Sequence, residues 1–100
     1  ELTGFTFYEG THFGASFGHL MGGYDAGYYG YLWSKVYGDD MFSVFADEGV
    51  LSPDVGRRYR EEILATGHSR DAVDHLGAFL GREPSTVAFL ANLGLGDGAE

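Results

Sequence analysis

Apolar positions at helical intervals predict one long helix from about Asp25 to Glu48, within the segment 24–49. The apolar stripe of this helix consists of Tyr29, Trp33, Val36, Tyr37 and Val44. Gly49 follows directly and is a typical helix terminator. Gly38, Asp39 and Asp40 in the middle weaken the helix and would permit a kink or a break there.

Residues 52–94 predict about three shorter helices, and the first begins at Ser52, Pro53 and Asp54. Serine caps a helix, proline suits its first position, and aspartate favours its positive end. A stripe that recurs every four residues is expected to be buried, and it consists of Val55, Tyr59 and Ile63. Gly67 is expected to end this helix.

The next two helices have similar start and stop signals. Ser69 is expected to cap one of them and Gly81 to end it, with Val73, Leu76, Phe79 and Leu80 facing inward. Pro84 or Ser85 is expected to start the last helix and Gly94 to stop it, with Val87, Leu90 and Leu93 facing inward.

Residues 1–23 lack helical periodicity and are rich in glycine and aromatic residues. Phe5, Thr6 and Phe7 alternate weakly, as in a short strand. Gly22 and Gly23 form a hinge in front of the long helix, because adjacent glycines reach backbone angles closed to other residues. We therefore predict an all-α fold in a single segment, 1–100, with an irregular N-terminal part.

Composition and charge exclude several functional classes. The 100 residues include 15 acidic and 6 basic side chains, for a formal net charge of −9. This charge argues against nucleic-acid binding and against an anionic membrane surface. No apolar run reaches the roughly 18 residues that a membrane span needs, and cysteine is absent. A cytoplasmic location fits, and the absence of an initiator methionine suggests that the natural N-terminus is missing.

The four histidines do not predict a metal site. No H-E-x-x-H motif occurs, and no histidine pair has a carboxylate at the usual zinc spacing. We expect His68 and His75 at the surface or at helix caps, and no role is assigned to them or to His12. His19 differs because it lies next to the glycine hinge.

Three tyrosines provide the strongest candidate chemistry. Tyr24, Tyr28 and Tyr31 share one face, within about 60° of arc, if the helix begins at Tyr24. Such a row is either part of a core or a set of phenol donors for a developing oxyanion. No nucleophile with a base accompanies them, and we interpret the acidic side chains of the long helix as a solvated face or helix end; these are Asp39, Asp40, Asp47 and Glu48.

The segment from Gly10 to Trp33 closely resembles the C-terminal region of the zinc metallopeptidase family that includes thimet oligopeptidase, neurolysin and oligopeptidase A. The specific part is the glycine hinge followed by Tyr-Asp-Ala-Gly-Tyr-Tyr-Gly-Tyr at residues 24–31. Further similarity covers Val55 to Arg60 and Phe79 to Pro84. The resemblance extends over nearly all of the chain.

This resemblance implies a segment of a larger, mostly helical peptidase catalytic domain. The family holds zinc through an H-E-x-x-H helix and a glutamate, and these ligands would lie upstream of residue 1. By position, the substrate-binding residues would be His19, Gly22, Gly23, Tyr24, Tyr28 and Tyr31. Tyr31 and Tyr24 would act in catalysis, and Tyr31 would stabilise the oxyanion.

Two functions follow as expectations. The first is a C-terminal fragment of an oligopeptidase for short peptides, which is inactive alone and works with the remainder of the peptidase chain. The alternative is a self-associating structural or binding module, which would use an apolar surface formed by Phe13, Phe17, Tyr29 and Trp33.

Overall fold

The computed structural model describes residues 8–96. The strand expected at Phe5, Thr6 and Phe7 lies outside these residues, and so does the side chain of Phe13. The described part contains five α-helices and no strand, which confirms the all-α prediction. The chain forms two compact units, Glu1–Gly30 and Tyr31–Glu100. In the described part, no helix has the length and apolar character needed to cross a membrane.

The first unit has only short helical elements. Helix α1 covers Phe13–Ser16, and one 3₁₀ turn covers Gly18–Met21. Turns follow up to residue 29, so helix α2 begins at Gly30 and the predicted start at Asp25 is wrong. Glycine disfavours a regular helix, and this stretch carries one at positions 22, 23, 27 and 30.

Helix α2 covers Gly30–Glu48 and crosses Gly38, Asp39 and Asp40 without a break. Gly49 ends it as predicted, with φ +104°. This conformation is open to glycine and rarely adopted by other residues, so the sequence signal at this end of α2 has a direct structural cause.

Helix α3 covers Pro53–Tyr59 and continues as a single π-helical turn, Arg60–Leu64. Ser52 caps it as predicted, because its hydroxyl accepts a hydrogen bond from the Val55 N–H at 3.5 Å. Turns then lead to α4, which covers Ala72–Leu80.

The predicted cap of α4 at Ser69 is wrong, since Asp71 occupies that position. Gly81 ends α4 in the left-handed conformation, with φ 70° and ψ 12°, as predicted. Helix α5 covers Val87–Asn92, and the hydroxyl of Ser85 accepts a hydrogen bond from the Val87 N–H at 3.1 Å.

The core of the second unit joins α2, α3 and α4. Val44, Val55 and Phe79 are buried together. Partly buried side chains pack against them, namely Met41, Phe45, Tyr59, Ile63 and Leu80. The rings of Phe45, Tyr59 and Phe79 lie 5.5 to 5.9 Å apart. The predicted inward stripes of α3 and α4 are therefore confirmed at Val55 and Phe79.

Several predicted inward positions are exposed instead. These are Tyr29 and Trp33, and, in the later helices, Val73, Val87, Leu90 and Leu93. Val36 and Val44 of the same predicted stripe are buried, and so is Phe89 in α5. A set of short elements offers too little neighbouring protein to cover every apolar side chain.

Two polar predictions are also wrong. Asp40, expected on a solvated face, is 1% exposed because it pairs with Arg82. His75, expected at the surface, is 7% exposed, and its Nδ1 lies 3.1 Å from the carbonyl oxygen of Glu62. Because a carbonyl only accepts, Nδ1 carries the proton in this contact, and the buried Nε2 has no hydrogen-bond partner.

Candidate functional site

The glycine hinge is a tight turn built on the carbonyl of His19. This carbonyl accepts hydrogen bonds from the N–H groups of Gly22, at 3.2 Å, and Tyr24, at 3.1 Å. Gly23 adopts φ +92°, which is why the turn requires glycine at this position. A side chain on Gly22 would approach the carbonyl oxygen of Gly18 to 3.3 Å. The backbone therefore folds the tyrosine segment back towards His19.

This turn brings three of the predicted site residues together. The imidazole of His19 lies 5.3 Å from the ring of Tyr28 and 5.7 Å from the ring of Tyr24, between centroids. The Tyr24 ring stands nearly perpendicular to the imidazole, at 83°. Edge-to-face contacts of this kind are favourable for aromatic pairs. We call His19, Tyr24, Tyr28 and the adjoining Phe17 the aromatic cluster.

The aromatic cluster presents its polar side chains to solvent. Tyr24 and Tyr28 are 42% and 41% exposed, and His19 is exposed as well. Exposed phenol and imidazole groups on a turn offer hydrogen bonds and flat apolar faces to a ligand.

Phe17 is a member of the cluster that sequence reasoning did not assign to the site. Its ring lies 4.8 Å from that of Tyr28 at an interplanar angle of 82°, and 5.7 Å from that of His19. These contacts arise from the turn and not from a periodic spacing. The available signal was an aromatic residue two positions before the hinge histidine.

Tyr31 lies in the second unit, in the first turn of α2, and is 52% exposed. The helical-wheel argument for three tyrosines on one face assumed a helix from Tyr24. Because α2 begins at Gly30, that argument does not hold for Tyr24 and Tyr28. The assignment of Tyr31 rests on the family resemblance.

The other histidines lie apart from any metal-binding group in the described residues. His12 and His68 are exposed. Between residues 8 and 96, no three histidine, aspartate or glutamate side chains group closely enough to hold a metal ion. The described residues therefore contain no ligand set for zinc.

An ion pair in the second unit fixes the helix that carries Tyr31. Burial raises the pKa of Asp40, but hydrogen bonds from Arg82 and from the N–H of Ser85, with the charge of Arg82, outweigh it and hold that pKa below its ordinary value. The hydrogen bond to Asp40 and the charge of its carboxylate raise the pKa of Arg82. The pair thus remains charged across the neutral range.

Comparison with known proteins gives a consistent result. The family model described as "Peptidase family M3" matches residues 1–95. A thimet-like oligopeptidase of Dictyostelium discoideum is 44% identical over 87% of this chain. Saccharolysin of Saccharomyces cerevisiae is 49% identical over 80%, and oligopeptidase A of Escherichia coli is 41% identical over 80%.

The matched part is a small share of each relative. This chain covers 13% of the thimet-like oligopeptidase, 11% of saccharolysin and 12% of the E. coli oligopeptidase A. The family model, in contrast, matches nearly all of this chain. The chain belongs to peptidase family M3.

Proposed function

We propose that this member of peptidase family M3 is the C-terminal segment of a zinc-dependent oligopeptidase that hydrolyses peptide bonds in short peptides. The observation that supports this most directly is the family match over residues 1–95. It includes the glycine turn and the aromatic cluster. Relatives named oligopeptidases share 41% and 44% identity with the chain.

In this proposal the aromatic cluster forms part of the wall that binds the peptide. Gly22 and Gly23 give the backbone its turn, and His19, Tyr24 and Tyr28 contact the substrate. Their side chains offer hydrogen bonds to peptide carbonyls and flat faces to peptide side chains. A turn of this kind suits substrates of varied sequence, because ring faces discriminate weakly between apolar groups.

Tyr31, together with Tyr24, has the catalytic role. The hydroxyl of Tyr31 donates a hydrogen bond to the oxyanion that develops on the scissile carbonyl. Position in the first turn of a 19-residue helix gives Tyr31 a rigid support. Asp40 and Arg82 hold the same helix against the connection between α4 and α5.

The zinc ion in this proposal is held by residues of the complete enzyme outside this segment. Zinc of this kind activates water and polarises the substrate carbonyl. The residues of this chain bind and orient the peptide and donate hydrogen bonds. The segment by itself is therefore expected to be inactive.

The test compares the complete protein with the 100-residue chain on a short quenched fluorescent peptide. The complete protein should cleave the peptide, lose activity on chelation and regain it with added zinc. The 100-residue chain should show no cleavage above background at the same molar concentration. Zinc-dependent cleavage by the short chain, or no zinc dependence in the complete protein, would contradict the proposal.

We also propose that the second unit has a docking surface, and that the remainder of the peptidase chain binds there. Apolar side chains are exposed on several of its elements, among them Leu32, Trp33, Phe42, Leu51, Leu64, Val73 and Val87. Trp33, Val36 and Tyr37 also line a shallow pocket of about 280 Å³ with Val73 and Pro84. The chain spans about an eighth of its relatives, so the rest of such an enzyme is available to cover this surface.

An isolated chain should then cover the same surface by self-association. Light scattering of the 100-residue chain should give a mass above that of one 10.9 kDa chain. Trp33→Lys, at a position 51% exposed, should shift the mass towards the monomer. A wild-type chain that remains monomeric and does not bind an apolar dye would count against this role.

The name of one relative supports a cytoplasmic location for the complete enzyme. A protein of Arabidopsis thaliana named "Probable cytosolic oligopeptidase A" is 41% identical over 80% of this chain. Fractionation of cells that express the complete protein should recover it with the cytosol. Recovery in the membrane pellet would contradict this location.

A further inference from the structure

We propose that Phe17 is a positioning residue of the peptide-binding wall, which holds the rings of His19 and Tyr28 in place without contacting the peptide. The inference deepens the proposed function and rests on it for the role of His19. Phe17 contacts both rings, at 5.7 Å from His19 and 4.8 Å from Tyr28. The Phe17 ring therefore packs against the rings of two proposed substrate-binding residues.

The burial pattern of the first unit supports the same role. Among its described side chains, Phe17 is half-buried whereas His19, Tyr24 and Tyr28 are exposed. A side chain that packs beneath exposed partners acts as their support. The backbone N–H of Leu20 also bonds to the Phe17 carbonyl at 3.2 Å, which begins the 3₁₀ turn that carries His19.

The geometry of the contact requires a ring. The interplanar angle of 82° between Phe17 and Tyr28 is the edge-to-face arrangement that aromatic quadrupoles favour. An aliphatic side chain of similar volume keeps the apolar contact and loses this orientation. Phe17→Leu should therefore loosen the cluster, while Phe17→Tyr should preserve it.

The kinetic test uses the complete protein and a short quenched peptide. Phe17→Leu should raise KM about five- to tenfold with kcat changed less than about twofold, since the ground-state contacts of His19 and Tyr28 with the peptide are weakened. Phe17→Tyr keeps the ring, so its KM should stay within about twofold of wild type. Met21→Ala, in the same 3₁₀ turn at an exposed position, is the matched control and should leave both constants unchanged.

A double-mutant cycle shows whether Phe17 acts through His19. If it does, the combined effect of Phe17→Leu and His19→Ala on KM should fall well short of the product of the two single effects. A fully multiplicative effect would overturn the positioning role. A raised KM for His19→Ala with an unchanged KM for Phe17→Leu would overturn this inference and leave the proposed function standing.

Hydrogen exchange of the complete protein gives a second readout that does not depend on activity. Phe17→Leu should speed amide exchange across residues 18–28, and Phe17→Tyr should not. If His19→Ala leaves KM unchanged, the proposed binding role of His19 fails, and exchange then decides only whether Phe17 holds the rings of the aromatic cluster in place. Equal exchange in wild type and Phe17→Leu would overturn it. If Phe17→Leu does not fold, Phe17→Met serves as the ring-free variant.

Discussion

Arg82 and Asp40 form a paired ion contact, in which Nη2 lies 2.5 Å from Oδ1 and Nη1 lies 3.1 Å from Oδ2. The carboxylate also accepts a hydrogen bond from the Ser85 N–H at 2.7 Å. This contact connects α2 with the segment between α4 and α5, across 42 residues of sequence. The helix that carries Tyr31 is therefore fixed by one buried charge.

Removal of that charge should cost much of the stability of the second unit. Asp40→Ala removes the acceptor of the Ser85 N–H and the charge partner of Arg82, whose side chain is 45% exposed, and should lower the free energy of unfolding by about 1–3 kcal/mol. Urea denaturation of the chain measures the change. Lys35→Ala is the matched control, because it breaks an ion pair with Asp39 on the same helix at a position 52% exposed. Its cost should stay below about 0.5 kcal/mol, and equal costs would contradict the assignment.

The same pair should make stability fall in acid. The pKa of Asp40 is held below 3.8 in the folded chain, so the unfolded chain binds more protons at low pH. The stabilisation is therefore complete above about pH 5 and is lost as the pH falls below about 4. As the pH falls below about 4, the free energy of unfolding should decline more steeply for wild type than for Asp40→Asn. Parallel pH profiles would show that Asp40 does not titrate in this way.

The ends of helices were predictable where a capping residue or a glycine within the terminal turn determines them. The hydroxyl of Ser52 and the left-handed conformations of Gly49 and Gly81 act within a single turn, so residue type alone identifies them. The start of α2 was not predictable from apolar periodicity, which continues through the turns before Gly30. The burial of Asp40 depends on a partner 42 residues away, which no local pattern reveals.

The candidate site was predictable by resemblance more than by geometry. His19, Tyr24 and Tyr28 do come together, but through a glycine turn and not along one helix face. Phe17 was missed because its ring contacts depend on how that turn folds. A periodicity argument assumes regular structure, and it fails where glycine removes that structure.

Gly23 should be sensitive to substitution for reasons of backbone angle alone. Its φ of +92° is strained for any other residue, although a Cβ there meets nothing within 4 Å. For alanine at this position, the left-handed backbone conformation costs about 1–2 kcal/mol, so the turn should open. Gly23→Ala should therefore raise the KM of the complete protein about tenfold. Gly14→Ala is the control, since its Cβ also meets nothing within 4 Å and its φ is not positive. Equal KM values for the two variants would contradict this role of the turn.

His19 should contribute to peptide binding more than to the chemical step. His19→Ala removes the imidazole that contacts Tyr24 and Tyr28, and should raise KM about tenfold with kcat within about threefold of wild type. Steady-state kinetics of the complete protein separates the two constants. His12→Ala, an exposed histidine outside the cluster, should change neither. A loss confined to kcat would move His19 from binding to catalysis.

The turnover number of Tyr31→Phe in the complete zinc-loaded protein tests the central claim most directly. The substitution removes only the hydroxyl of a side chain that is 52% exposed, so the fold should be kept. Tyr29→Phe, on a neighbouring tyrosine that is 67% exposed, is the control. If Tyr31 donates to the oxyanion, kcat should fall about 10²- to 10³-fold with KM little changed, and the control should match wild type. An unchanged kcat for Tyr31→Phe would contradict the account.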